Sequence, residues 1–196
     1  MKDLRELIEA WDSWALIADK SENGWESDFP EWEELMDAAW RAACDPPEPS
    51  CLPLLEKCLA ISSENEDLIQ KAQEAWGVVD TLSRSPLGAC RWQIYEAVGA
   101  AAVTAEKLLR RGIEDVDPYA RRRAILSLAR LRPRDARELA TLFVEDPDAY
   151  IRQAAISLIL VANNDEFIVS ALSRLENDPV EHVREAAAQA LRGRAP

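Results

Sequence analysis

Apolar residues recur along this chain at the spacing of a buried helix face, and one such stretch returns about every 31 residues. Four segments line up on an arginine: Arg91-Trp-Gln-Ile-Tyr-Glu-Ala-Val, Arg122-Arg-Ala-Ile-Leu-Ser-Leu-Ala, Arg152-Gln-Ala-Ala-Ile-Ser-Leu-Ile and Arg184-Glu-Ala-Ala-Ala-Gln-Ala-Leu. The intervals are 31, 30 and 32 residues. Three residues after each arginine stand Ile94, Ile125, Ala155 and Ala187. Six after stand Ala97, Leu128, Leu158 and Ala190, and seven after stand Val98, Ala129, Ile159 and Leu191. The fifth position is polar throughout: Glu96, Ser127, Ser157 and Gln189. Such a column set is a helix with one broad apolar face, and its small alanines allow close approach of neighbouring helices.

Each segment follows a turn signal: Ser85-Pro86, Asp117-Pro118, Asp146-Pro147 and Asp178-Pro179. Ser or Asp caps the free amides of a helix start, and Pro tolerates the first turn because it has no amide hydrogen to lose. A second apolar-periodic stretch follows each of the first three segments, at 101–111, 134–144 and 165–176. Gly99 and Gly112 stand where helix C-termini are expected. The unit is a helical hairpin that cannot bury its face alone and must stack.

Upstream the same grammar continues less regularly. Helices are predicted at 2–18, with the stripe Leu4, Leu7, Ile8, Trp11, Trp14, Ala15 and Ala18, and at 30–43. Between them, 20–29 reads as a polar loop. Asp45-Pro46-Pro47 repeats the turn signal before a pair at 51–61 and 64–82, the second opened by the capping box Ser63 to Glu66. The prediction is about eleven helices and no strands.

The pattern Asp-Pro, Val/Ile-Arg, Ala-Ala over about 85–194 resembles HEAT repeats, and most closely the short phycobilisome-lyase subtype. It is carried best by Asp146-Pro147 with Ile151-Arg152-Gln153-Ala154-Ala155, and by Asp178-Pro179 with Val183-Arg184-Glu185-Ala186-Ala187. The 117–131 segment departs from it, with Arg121 where an apolar residue is expected. The resemblance implies an all-α, right-handed α-solenoid of about five helical hairpins plus a terminal helix. It also implies that Arg91, Arg122, Arg152 and Arg184 form a structural ladder holding the inter-repeat turns. It says little about activity.

Charge divides the chain where the repeats begin. Residues 1–84 hold 20 acids and 7 bases, the whole net charge of −13, whereas 85–196 hold 16 of each. The first part reads as an acidic, Trp-rich cap or set of degenerate repeats, continuous with the regular repeats of 85–196. Such a field repels nucleic acid and favours a basic protein, although acids also simply solvate outer helices. No run of apolar residues is long enough to span a membrane, and the acids near the N-terminus are unlike a signal peptide. A cytoplasmic location is expected.

Little in the chain suggests catalysis. His182 is the only histidine, no G-x-S-x-G elbow accompanies a serine, and glycines are scattered singly. HEAT-type di-iron hydroxylases carry repeated His-Glu pairs; here the single pair is reversed, as Glu181-His182. His182, in the first turn of the last helix, is expected to be exposed. HEAT proteins that excise alkylated bases need a basic concave face, which this charge does not offer. Cys44, Cys51, Cys58 and Cys90 have neither disulfide nor zinc spacing and read as small hydrophobes. No metal or cofactor is expected. The arginines of 121–137 either pair with neighbouring acids or bind an acidic partner.

Five of the seven tryptophans fall within the first 40 residues. Trp11, Trp14, Trp32 and Trp40 follow helix stripes, but Trp25 lies in the polar loop beside acids. Tryptophan is enriched among binding hot spots. The candidate partner-binding set is Trp25, Glu26, Asp28, Glu31 and Glu34, with Glu66, Asp67, Gln70 and Glu74 on the later helix. The expected function is non-enzymatic protein binding, first as an immunity or inhibitor protein masking a basic toxin such as a nuclease. The alternative is an adaptor or assembly factor; a phycobilin-lyase-like helper enzyme is a third reading.

Overall fold

A computed structural model of the chain describes residues 2–21, 25–42, 51–61, 76–98, 104–162 and 164–193. Among the described residues are eleven α-helices, two short 3-10 turns and no strand. The chain divides into two compact units, Met1–Ala97 and Val98–Pro196.

The first unit contains α1 (Leu4–Ala15), a 3-10 turn (Trp25–Asp28), α2 (Trp32–Ala42), α3 (Leu52–Ile61), α4 (Trp76–Leu82) and α5 (Gly88–Val98), whose last residue opens the second unit. A reciprocal cap starts α1: Asp3 Oδ1 accepts from the Glu6 amide, and Glu6 Oε2 accepts from the Asp3 amide, both at 2.9 Å. Helices α1, α2 and α3 pack together, and Leu7, Leu35, Leu55 and Leu59 are wholly buried or nearly so. Each such side chain contributes roughly 2 kcal/mol on leaving water. Cys58 and Cys90 are buried here, and burial pushes both thiols up to about 12. Cys51 is half-buried, and Cys44 lies outside the described residues. The buried Gln93 on α5 donates its amide to the Leu59 carbonyl of α3.

The predicted first helix stops three residues early. The amides of Ile17 and Ala18 both close on the Trp14 carbonyl, at 3.0 and 3.1 Å. The loop expected at 20–29 contains the 3-10 turn, and its anchor is Phe29, buried with its ring 5.5 Å from that of Trp14. The turn predicted at 45–47, the capping box at 63–66 and Gly99 lie outside the described residues.

The second unit contains α6 (Thr104–Gly112), α7 (Pro118–Leu131), a 3-10 turn (Pro133–Asp135), α8 (Ala136–Phe143), α9 (Ala149–Val161), α10 (Asp165–Leu175) and α11 (Glu181–Arg192). Helix α9 packs against both α7 and α11, so the first helices of successive hairpins form one layer. Helices α6, α8 and α10 form the other, each against the first helix that follows it. Ile125, Leu128, Ile151, Leu158 and Ile159 are wholly buried between the layers. Asp117 caps α7, Asp148 caps α9 and Asn164 caps α10 through their side chains.

Candidate functional site

Four inter-helix turns share one hydrogen-bond design. A side-chain oxygen accepts from the amide two residues on: Ser85 from Leu87 at 3.1 Å, Asp115 from Asp117 at 2.8 Å, Asp146 from Asp148 at 2.8 Å and Asp178 from Val180 at 2.9 Å. Six residues after each, an arginine Nη1 donates back to that residue's carbonyl. Arg91, Arg152 and Arg184 do so at 2.8 Å, and Arg121 at 3.4 Å. The residue before each arginine, Cys90, Ala120, Ile151 or Val183, is wholly buried.

The arginines also reach forward. Arg121 Nη2 donates to Asp146 at 3.2 Å, and Arg152 holds both carboxylate oxygens of Asp178 at 2.7 and 2.8 Å. The Arg152 guanidinium therefore holds the Asp178 carboxyl below its ordinary value. Arg184 donates to its own turn, at Asp178 and Pro179.

In the second repeat this position belongs to Arg121, and the alignment on Arg122 is one residue out of register. The three Asp-Pro pairs do not all do the same work. Asp146 and Asp178 form the turn itself, whereas Asp117 is a helix cap two residues later and Pro118 the first helical residue. The slip also moves Ser127 from the polar column into the buried one, where it is wholly buried and its hydroxyl has no hydrogen-bond partner among the described residues.

In the first unit, Glu26 and Asp28 lie in the 3-10 turn, and Glu31 and Glu34 lie at the start of α2. Lys2 engages the last two: its Nζ meets both Glu31 oxygens at 2.5 and 2.6 Å, and its amide donates to Glu34 at 3.3 Å. The bond to Glu31 in turn raises the Lys2 pKa. Those two glutamates are thus tied to the residue that leads into α1. Asp28 and Glu33 are exposed, and no described cation pairs with either. Glu66, Asp67, Gln70, Glu74 and the Trp25 side chain lie outside the described residues.

Sequence reasoning missed Leu16 and Ile17, which are 86% and 84% exposed. Two consecutive apolar residues off the stripe of α1 were the available signal. They follow Asp12, which pairs with Lys57, and precede the exposed Asp19. An apolar pair projecting from an acidic unit is a surface suited to a protein partner.

His182 is half-buried rather than exposed. Its ring stacks on that of Tyr150 at 4.9 Å, because both occupy the fourth place after their turn aspartates on adjacent first helices. Among the described residues, no group of three His, Cys, Asp or Glu side chains could hold a metal ion, and no helix is long and apolar enough to cross a membrane.

No curated protein matches the chain. Among the solved structures that share its fold are three designed armadillo repeat proteins. One, in complex with the peptide (KR)4, is 16% identical, with 96% of this chain and 90% of that one covered and a TM-score of 0.55. A second, designed for modular peptide recognition, is 17% identical, with 97% and 94% covered and a TM-score of 0.59. A third is 18% identical, with 98% and 94% covered and a TM-score of 0.57. Residues 77–159 match the family description "HEAT repeats", and 168–193 match "HEAT repeat". These matches span the ladder turns and all the helices that the arginines join; the chain belongs to the HEAT-repeat proteins, a family of protein-binding repeat modules.

Proposed function

We propose that this protein is a non-enzymatic inhibitor of the immunity type, which neutralises a basic toxin, a nuclease being the leading class, through its acidic N-terminal unit. The observation that carries this reading is the charge division: the entire −13 resides in residues 1–84. Asp28 and Glu33 leave part of that charge free for a partner, and Leu16 and Ile17 supply exposed apolar surface in the same unit. Opposite charge accelerates encounter, which a neutralising protein requires. A fold neighbour in complex with (KR)4 is in keeping with a basic ligand.

The test is affinity capture with the full chain from its source, identification by mass spectrometry, and reconstitution with the purified captured protein. The expected result is a stoichiometric complex with a basic protein whose activity is suppressed. Charge reversal by Asp28→Lys with Glu33→Lys is expected to weaken it by roughly tenfold or more. Capture of subunits of an endogenous complex instead supports the adaptor reading. A partner that is not basic, or affinity indifferent to the reversal, overturns the proposal.

A further inference from the structure

A second surface carries the opposite charge. Residues 104–137 hold ten bases and five acids. Four of those acids are already used. Asp115 forms its turn and Asp117 caps α7. Glu106 and Asp135 join Arg110 and Arg132 in a closed network. Arg110 Nε meets Glu106 at 2.9 Å and its Nη2 meets Asp135 at 2.8 Å; Arg132 Nη1 meets Glu106 at 3.0 Å. Some bases are used too: Arg121 serves the ladder, and Arg123 donates to the Tyr119 hydroxyl at 2.6 Å.

The remainder does not cancel. Lys107 adjoins Glu106, Arg130 precedes Arg132 by two residues, and Arg134 adjoins Asp135. All three are exposed, and no described carboxylate pairs with them. Arg137, also exposed, lies with its guanidinium carbon 5.2 Å from the centre of the Phe167 ring, on the layer of second helices that also carries Lys107; Arg130 stands at the end of α7 and Arg134 in the 3-10 turn that follows it. The network joins α6 to the link between α7 and α8, so these cations stand on elements that are bonded to one another. Apolar side chains lie on the same layer: Leu142 on α8 is 63% exposed and Val169 on α10 is 50% exposed.

We propose that Lys107, Arg130, Arg134 and Arg137 form a docking surface for an acidic, extended peptide segment of another protein. Uncompensated cations supply charge complementarity, and Leu142 and Val169 supply apolar contacts for residues spaced between the acids. A peptide fits better than a nucleic acid. Glu106, Asp135 and Glu138 are interspersed with the cations and would repel a continuous phosphate backbone, whereas a peptide can place its acids selectively. This surface lies in the second unit, is opposite in sign to the N-terminal one, and stands or falls independently of the inhibitor reading.

The experiment is fluorescence anisotropy on the full chain with three labelled probes: a (Glu-Glu-Leu)4 peptide, a (Lys-Lys-Leu)4 peptide and a single-stranded oligothymidylate of similar charge. Saturable binding of the acidic peptide that weakens with salt is expected. Lys107→Glu with Arg134→Glu is expected to reduce its affinity at least tenfold while leaving the thermal midpoint near that of the parent. Asp28→Lys with Glu33→Lys, in the other unit, is expected to leave peptide affinity within about twofold. Absence of saturable binding by the acidic peptide, parental affinity after the Lys107 and Arg134 reversal, or tighter binding of the oligonucleotide than of the peptide would each overturn the proposal.

Discussion

Arg152 grips Asp178 across the boundary between two repeats, with Nε and Nη2 on separate carboxylate oxygens at 2.7 and 2.8 Å. The side chains are only 11% and 4% exposed. Removing one member leaves the other buried without its counter-charge. Arg152→Ala is expected to lower unfolding stability by about 3 kcal/mol in a denaturant titration. A loss below about 0.5 kcal/mol would mean that the turn is held by backbone bonds alone.

The same pair predicts an acid limb. Arg152 depresses the folded-state pKa of Asp178 below its ordinary 3.8. A depressed carboxyl contributes stability that is present above its unfolded pKa and is lost as pH falls through the folded one. Stability is therefore expected to decline below about pH 4, and less steeply in Asp178→Asn, which already lacks the titrating group. Chemical denaturation from pH 6 downward measures both slopes; equal slopes would remove Asp178 from the account.

Arg121 and Arg122 differ by one position and are expected to differ in consequence. Arg121 bonds its own turn and Asp146, with the two partners 21% and 14% exposed. Arg121→Ala is expected to cost about 1–2 kcal/mol, and Arg122→Ala less than about 0.5 kcal/mol. Thermal melts of the two variants decide the register directly.

Most of the architecture is legible in the amino-acid sequence, because a helix stripe and a 31-residue return are strong signals. The register of the second repeat is not. Three adjacent arginines compete for the ladder position, the misfit of Arg121 in an apolar column is one letter deep, and Asp-Pro looks alike whether its Asp forms a turn or caps a helix. Only the buried Ala120 beneath Arg121 separates them. In the N-terminal unit, the acids at 26–34 can be named from sequence, but not which of them Lys2 neutralises. That pairing joins residues 29 positions apart and has no local pattern. Leu16 and Ile17 escape notice because apolar periodicity finds what is buried and is silent about what projects.

Ser127 offers a gain in stability. Its hydroxyl is wholly buried without a partner among the described residues, in the column where the next repeat places Leu158. Ser127→Ala removes the stranded group and is expected to stabilise the fold by roughly 1 kcal/mol. A lowered melting midpoint would show instead that the hydroxyl has an acceptor in solution.

The cysteines should separate by reactivity. With burial pushing Cys58 and Cys90 to about 12, neither offers much thiolate near neutrality. Half-buried Cys51 is expected to be alkylated before Cys58 and Cys90 when iodoacetamide labelling is followed by peptide mapping. Labelling of Cys58 and Cys90 as fast as Cys51 would indicate that the helices around them open readily.

The forward reach of the arginines gives the second unit a polarity that its helices alone would not. Arg121 and Arg152 each lean on the aspartate of the repeat that follows, so each repeat draws support from its successor. Nearest-neighbour coupling of this kind governs how repeat stacks come apart. Among the described residues Arg184 donates only to its own turn, so α11 lacks the forward grip that α7 and α9 have, and its amides are expected to exchange faster than theirs. A partner that clamped α11 would then slow exchange as far back as α7, turning a contact on one helix into rigidity in the neighbours coupled to it.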